Sequence, residues 1–363
     1  MERRGFLMAG AALAAATAGG LVAPAMASPP VRRRADAERR WPTDLKGPFI
    51  DLTTGPGNRE AWARLLGNTD MRSTKYGWAV GRIQGVRPGE AVRDLVGFTM
   101  MSAARLLPFT GDAPGYEGVT GYRKVLREVG LYFDLASGEI IEEWRNPYLN
   151  ETVKIFPIAN DPFNHLITEF RPNPPTYGGL NTVQPPKRPL LFDWRRSGDM
   201  LQMYSGIHLF YPSALQPEKW PRENAHPFNQ VSEMFNYEIS WADMQDRRKT
   251  SVEYTGTWVR TTPWLPWMLM GPTPGHCQYI THMGSFNDIE RIERRCLDYV
   301  EKHFPKYLTA PDRWEEPSLS SLEHYARERT PAPVPPGQPV PRAPDPELPA
   351  WWRARQQGAQ TRS

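Results

Sequence analysis

The sequence predicts a mainly β protein, an antiparallel meander closing into a barrel or strongly curled sheet by lipocalin-like logic, on the strength of three observations. Short runs with period-two alternation of apolar and polar residues recur about eleven times along the body of the 363-residue chain. Turn chemistry separates them, as at Ala136-Ser137-Gly138, Asn160-Asp161-Pro162 and Ser197-Gly198-Asp199. Sustained helical periodicity is confined to one stretch after Asn287. Short links set consecutive strands side by side, and so many strands curl or close to remove their exposed edges.

The elements follow in order. A short helix is predicted over 59–66, then strands in YGWAVGRIQG and LVGFTMMSAARLL. REVGLYFDL and EIIEEWRN flank the 136–138 turn as a hairpin. ETVKIFPIA, HLITEFRP, PLLFDWRR, MLQMYSGIHLFY, MFNYEISWADM, TSVEYTGTWVRT and HCQYITHMG complete the series. Asn287-Asp288-Ile289-Glu290 reads as a helix cap with a glutamate at the third helical position. It opens one amphipathic helix to about Phe304, near the end of the body, with Ile289, Ile292, Cys296 and Val300 on its apolar face.

Outside this body, from 45 to 311, composition changes. Residues 1–27 carry Arg3-Arg4 before Phe6-Leu7, a weakly apolar run, and Ala25-Met26-Ala27, the pattern of a twin-arginine signal peptide with a cleavage site. The run falls short of the ~20 strongly apolar residues of a comfortable membrane span. Handling by the twin-arginine export machinery, a periplasmic or secreted location and no stable membrane insertion after cleavage are therefore expected. Residues 28–44 are a basic lead-in, and 312–363 read as a proline-rich, largely disordered tail, either free or tied back through Trp351-Trp352.

The net charge of +4 resides wholly in residues 1–40, which leaves 41–363 neutral overall and without the electrostatic footprint of a nucleic-acid binder. Two cysteines, Cys277 and Cys296, cannot build a disulfide framework; they are predicted as buried small hydrophobes, the alternative being one bridge between them after export.

The succession REVGLYFDLASGEIIEEWRNPYLNETVKIFPIANDPFNH, LLFDWRRSGDMLQMYSGIHLFYP and EYTGTWVRTTPWLPWMLMGPTPG resembles an exported bacterial family catalogued only as a domain of unknown function. The resemblance spans about 45–310 and implies no activity.

The chain has no phosphate loop, dinucleotide fingerprint, GxSxG elbow or HExxH, so the chemistries needing them are set aside and no cofactor is expected. What remains is polar side chains on apolar strand faces. Arg260 ends a row with Trp258 and requires either a protein carboxylate or an anionic or carbonyl ligand group. Tyr204 and His208 share a face, as do His276 and His282, and His165 follows the 160–162 turn. His276 and His282 lie about 20 Å apart along one strand, too far to chelate one metal, and no metal site is expected.

If these faces meet inside one barrel, His208, His276, Tyr204 and His165 are the catalytic candidates. Arg260, Trp258, Trp264, Trp267, Met268 and His282 would then bind the ligand. Pro263 and Pro266 force Trp264 and Trp267 into a loop, which is either a plug of the core or a lid. The expected function is an exported enzyme acting on a hydrophobic or aromatic small molecule by acid/base chemistry, as an isomerase, lyase or hydrolase. The alternative is a non-catalytic periplasmic carrier with the same pocket; a third reading is a partner-binding protein working through its tail.

Overall fold

The computed structural model describes residues 47–111, 116–171, 187–315 and 319–345, all within the unit Asp44–Ser363. The predicted signal peptide and lead-in, together with Trp351 and Trp352, lie outside the described residues.

Strands β1 (Lys75–Val86), β2 (Arg93–Thr110) and β3 (Thr120–Phe133) form a first antiparallel meander. β4 (Glu143–Asn146) and β5 (Glu151–Lys154) make a separate two-stranded ribbon. β6 (Ile158–Asn160) and β7 (His165–Thr168) return to the free side of β3. A second meander runs through β8 (Asp193–Ser197), β9 (Met200–Pro212), β10 (Phe228–Ser240), β11 (Tyr254–Thr262) and β12 (His276–Phe286). β12 then pairs with β1 along eleven residue pairs, from Tyr76 opposite Phe286 to Val86 opposite His276, and joins both meanders into one ten-stranded sheet.

The protein is thus mainly β and antiparallel, but the predicted closure into a barrel or strongly curled sheet is not found. Among the described residues the strand path stays open between β7 and β8, with one bridge, Phe170 to Pro189, linking the two sides. The intervening 172–189 sequence contains six prolines, which supply no N–H to extend a ladder. The 136–138 turn forms as predicted, with the Asp134 carboxylate accepting from the backbone N–H of Ala136 and Ser137. The hairpin beyond it stops at the Phe133–Ile140 bridge, because β4 leaves to pair with β5.

Alternation gives the sheet two faces. The core face buries Ile83, Phe98, Tyr132, Met203, Trp258 and Tyr279 in one cluster. Helix α1 (Gly55–Leu66) packs at one end of it, four residues longer at its start than predicted because Thr54 caps it and Pro56 is tolerated in its first turn. Two buried cations clip that end together. Lys75 Nζ donates to the carbonyls of Arg64 and Val252 and to Ser251 Oγ, and the Arg64 guanidinium donates to the carbonyls of Asp243, Met244 and Asp246 around the short helix α2 (Trp241–Gln245).

On the outer face, α3 (Arg294–His303) covers β1–β3 with Cys296, Leu297 and Val300 set against Met101, Val129 and Leu131. The single helix predicted from Asn287 to Phe304 is divided. A 3-10 turn at Ile289–Arg291 ends at Ile292, whose extended backbone buries its side chain and lets Glu293 accept from Thr99 Oγ1 at 3.0 Å. Cys277 and Cys296 are both free and buried.

The tail differs most from expectation. Ser320 and Glu323 form a capping box that opens α4 (Ser321–Glu328), and Tyr325 packs edge-on against Phe156 and Trp220. The proline-rich stretch after it lies along the body up to residue 345 as a strap. Arg222 and Arg87, both buried, donate to the carbonyls of Pro333 and Pro344, and Ala343 is fully buried with its N–H on Thr273 Oγ1. Proline removes donors but leaves carbonyls free, and buried guanidinium groups use them.

Candidate functional site

Strand register decides which predicted residues meet. On β11 Trp258 and Arg260 point to the core face, beside Phe235 and Glu233 of β10 and Thr281 and Tyr279 of β12. Tyr204 and His208 of β9 and His276 and His282 of β12 point to the outer face. The pattern groups read from the sequence are therefore correct one strand at a time, but the two sets lie on opposite sides of the sheet. His208 and Tyr204 are exposed, and the Nδ1 of His208 meets Ser232 Oγ at 3.1 Å. His165 is exposed on β7, edge-on to Phe163 and opposite Lys124.

Trp264 and Trp267 are buried and plug the core, with Trp267 3% exposed and Met268 completely enclosed. A 3-10 turn at Pro266–Met268 holds them, and Leu269 leaves it in the left-handed region at φ 56°. Trp264 Nε1 donates to the Thr273 carbonyl, and the Met268 carbonyl accepts from Asn146 at the ribbon.

Around Arg260 a second set of side chains converges that sequence reading passed over. Arg260 Nη1 lies 3.2 Å from Glu233 Oε1, supplying the protein carboxylate that its inward position required. Burial is the strongest influence and opposes its charge, but Glu233 together with Tyr279, Tyr211 and Tyr132 outweighs burial and holds the guanidinium above its ordinary value. Its plane lies 5.7 Å from the Tyr279 ring, which touches Trp258 and Phe98 in turn. The Trp267 indole and the Tyr279 hydroxyl flank the Tyr132 phenol, whose acidity is lowered by burial and partly restored by these two neighbours.

Two buried donors in this group, Arg260 Nε and Trp258 Nε1, have no hydrogen-bond partner among the described residues, while the Trp267 indole and the Tyr279 hydroxyl turn to the Tyr132 oxygen. A buried donor without a partner costs about 1–3 kcal/mol. Tyr279 touches both Arg260 and Trp258, and Trp267 touches Tyr132 edge-on. Trp258 and Phe235 stack at 6.1 Å to form the adjoining aromatic wall, and Tyr132 also lines a cavity of about 400 Å³ with Ile140, Ile155, Glu142, Lys154 and Arg329.

β3 adds the titratable part. Lys124 and Glu128 share the core face, Glu128 opposite Asn160, whose Nδ2 donates to Oε1 at 2.7 Å. Burial pushes the Glu128 carboxyl up, eased by Asn160 and Lys124; burial also drives the Lys124 ammonium down to about 8. The charge of Glu128 is sensed by Arg260 and Glu233 on the other meander. The signal that singled out Arg260, a charge on an apolar strand face, was equally present in the alternation Lys124, Leu126, Glu128. Tyr279 carried no such mark because it alternates with Cys277 and Met283 as an ordinary core residue.

Among the described residues no three His, Cys, Asp or Glu side chains converge as a metal site. An antiparallel sheet with an aromatic-walled donor cluster on its core face is the class of protein these features define. The chain belongs to a family described as "Protein of unknown function (DUF1838)", whose profile matches residues 72–329 and so takes in the whole sheet, α3 and α4. No curated protein and no solved structure matches it.

Proposed function

We propose that this is an exported protein whose core-face cluster binds a hydrophobic or aromatic small molecule through an oxygen acceptor. The observation that carries the reading is the pair of buried, unpartnered donors on Arg260 and Trp258 beside the Tyr279–Tyr132–Trp267 cluster. Arg260 and Lys124 are balanced by Glu233 and Glu128, so the local charge is close to neutral and favours a carbonyl or hydroxyl oxygen over a carboxylate. Phe235 and Trp258 supply the apolar contact.

The acid/base reading is supported by a different pair from the histidines proposed on sequence. Glu128 and Lys124 have affinities for protons displaced toward neutrality from opposite sides, as a general acid and base require. Isomerase or lyase chemistry on the bound molecule would run through these two side chains.

The test is titration with an aromatic ketone, followed by tryptophan fluorescence, on the wild type, Tyr279→Phe and Trp267→Phe. One lost hydrogen bond weakens binding roughly tenfold, and melting temperature measured alongside separates binding from packing. Equal affinity in all three proteins would remove the donor cluster as a site. Turnover is tested separately by mass spectrometry of the extracted native ligand, with Glu128→Gln expected to abolish any conversion. Export is tested by Arg3→Lys with Arg4→Lys, which should retain the chain in the cytoplasm.

A further inference from the structure

We infer that the outer face of β9–β12 is the surface through which two copies of this chain associate, face to face. Phe210, Phe228, Met234, Ile280 and Tyr204 all stand on it and are all exposed, Phe210 at 66%. Phe210 and Phe228 stack in parallel at 5.2 Å, a preformed aromatic plate. Met234, Val259 and Ile280 run in a contiguous apolar row across three strands at matched register, separated from the Phe210–Phe228 plate by the uncharged Ser232 and His208.

Charge selects the occupant. Among the outward side chains of β9–β12, Glu238 near one end is the only Lys, Arg, Asp or Glu, although such residues make up 23% of the chain. The rest are Gln, Asn, Thr, Ser, His, Gly and apolar residues, with Val259, Met200, Pro212 and Phe286 beside the five above. A charged protein, an acidic peptide or a nucleic acid has no complement here. A second copy presents the same uncharged surface, and a two-fold axis would bring apolar row to apolar row.

Extent agrees. Roughly twenty outward residues, at strand spacing of ~4.8 Å and ~6.8 Å between neighbours on one face, cover about 650 Å² in projection. Stable interfaces bury about 800 Å² of accessible surface per partner, and side-chain relief brings the two measures together. Edge-to-edge pairing is disfavoured, because edge strand β8 is five residues long and carries exposed Arg195 and Arg196. Two sheets packed on their faces at the aligned angle of about −30° satisfy both constraints.

Sedimentation velocity and light scattering on the full mature chain decide the question. The expected result is twice the monomer mass at concentrations up to about 100 µM, converting to monomer in Phe210→Asp with Ile280→Asp at an unchanged melting temperature. Thr257→Arg, a milder change at an exposed position in the middle of the face, should do the same if the double variant fails to fold. Val92→Asp, exposed on the loop before β2, should leave the dimer intact. A wild type that stays monomeric at the highest concentration, including one whose own chain covers the face, overturns the inference, as does a dimer that survives both outer-face changes.

Discussion

The two halves of the outer face are built from the same kind of strand, yet one is covered and the other is not. Over β1–β3, Met101, Val129 and Leu131 lie beneath α3 and are buried. Over β9–β12, Phe210, Met234 and Ile280 occupy equivalent outward positions and are exposed. The covered half has branched aliphatic and sulfur side chains that match the stripe of one helix. Its neighbour intersperses large apolar residues with Gln, Asn, Thr and His, which tolerate water and can also hydrogen-bond across an interface. Whether a sheet face belongs to the core is therefore set by the element that lands on it, and alternation alone cannot distinguish the halves.

The largest expected effect breaks the covered half. Leu297→Ala in α3 should cost about 2–5 kcal/mol through lost burial and a cavity, read by urea denaturation. Phe210→Ala on the open half should stay within about 0.5 kcal/mol at low protein concentration. A comparable loss at Phe210 in a monomeric sample would mean that the open half is covered in solution.

The strap offers a second cover to compare with α3. Ending the chain after Arg329 leaves Arg87 and Arg222 without the carbonyls of Pro344 and Pro333 and uncovers the site of Ala343. A loss of about 1–3 kcal/mol is expected, the scale of leaving buried donors unsatisfied. An unchanged denaturation midpoint would show that the strap is only laid on the surface.

A smaller effect sharpens the contrast between the outer face and the core face. Lys124 titrates at about 8 in the folded protein, because burial disfavours its ammonium, against ~10.4 in an unfolded chain. Between these values the unfolded state holds more protons, so stability contributed by this group rises as pH increases from about 8 to about 10.4 and is flat below 8. Denaturation at pH 7.5 and 9.5 should show this rise in the wild type and its loss in Lys124→Met; an identical slope in both would place Lys124 in water.

The smallest effect concerns the thiols, Cys296 on the covering helix α3 and Cys277 on the core face beside Met268. Burial pushes Cys277 and Cys296 both up to about 12. Iodoacetamide at pH 8 should label neither in the native protein and both after unfolding. Selective native labelling of Cys296 would reveal that α3 lifts from the sheet.

Much of the fold was legible in single segments. Strands, the 136–138 turn, the helix after Asn287 and the inward pairing demand of Arg260 follow from local alternation, turn residues and the cost of burying a charge, all properties of a few neighbouring residues. In the tail up to residue 345 proline density argues against a core, yet Ser320 and Glu323 are a capping box visible in the sequence. Likewise Lys124 and Glu128 carry the same mark as Arg260 within an otherwise ordinary strand.

What only the tertiary structure decided is which faces come together. Pairing of β1 with β12 joins residues about two hundred positions apart in sequence, and it sets Tyr279 rather than His276 or His282 on the core side beside Arg260 and Trp258. The sequence by itself determined that His276 and His282 share one face of their strand and that Trp258 and Arg260 share one face of theirs. It did not determine that those faces are opposite. A period of two states which residues lie on the same side of a strand but not which side is inward, because that choice belongs to long-range register and to whichever helix or strap arrives to exclude water.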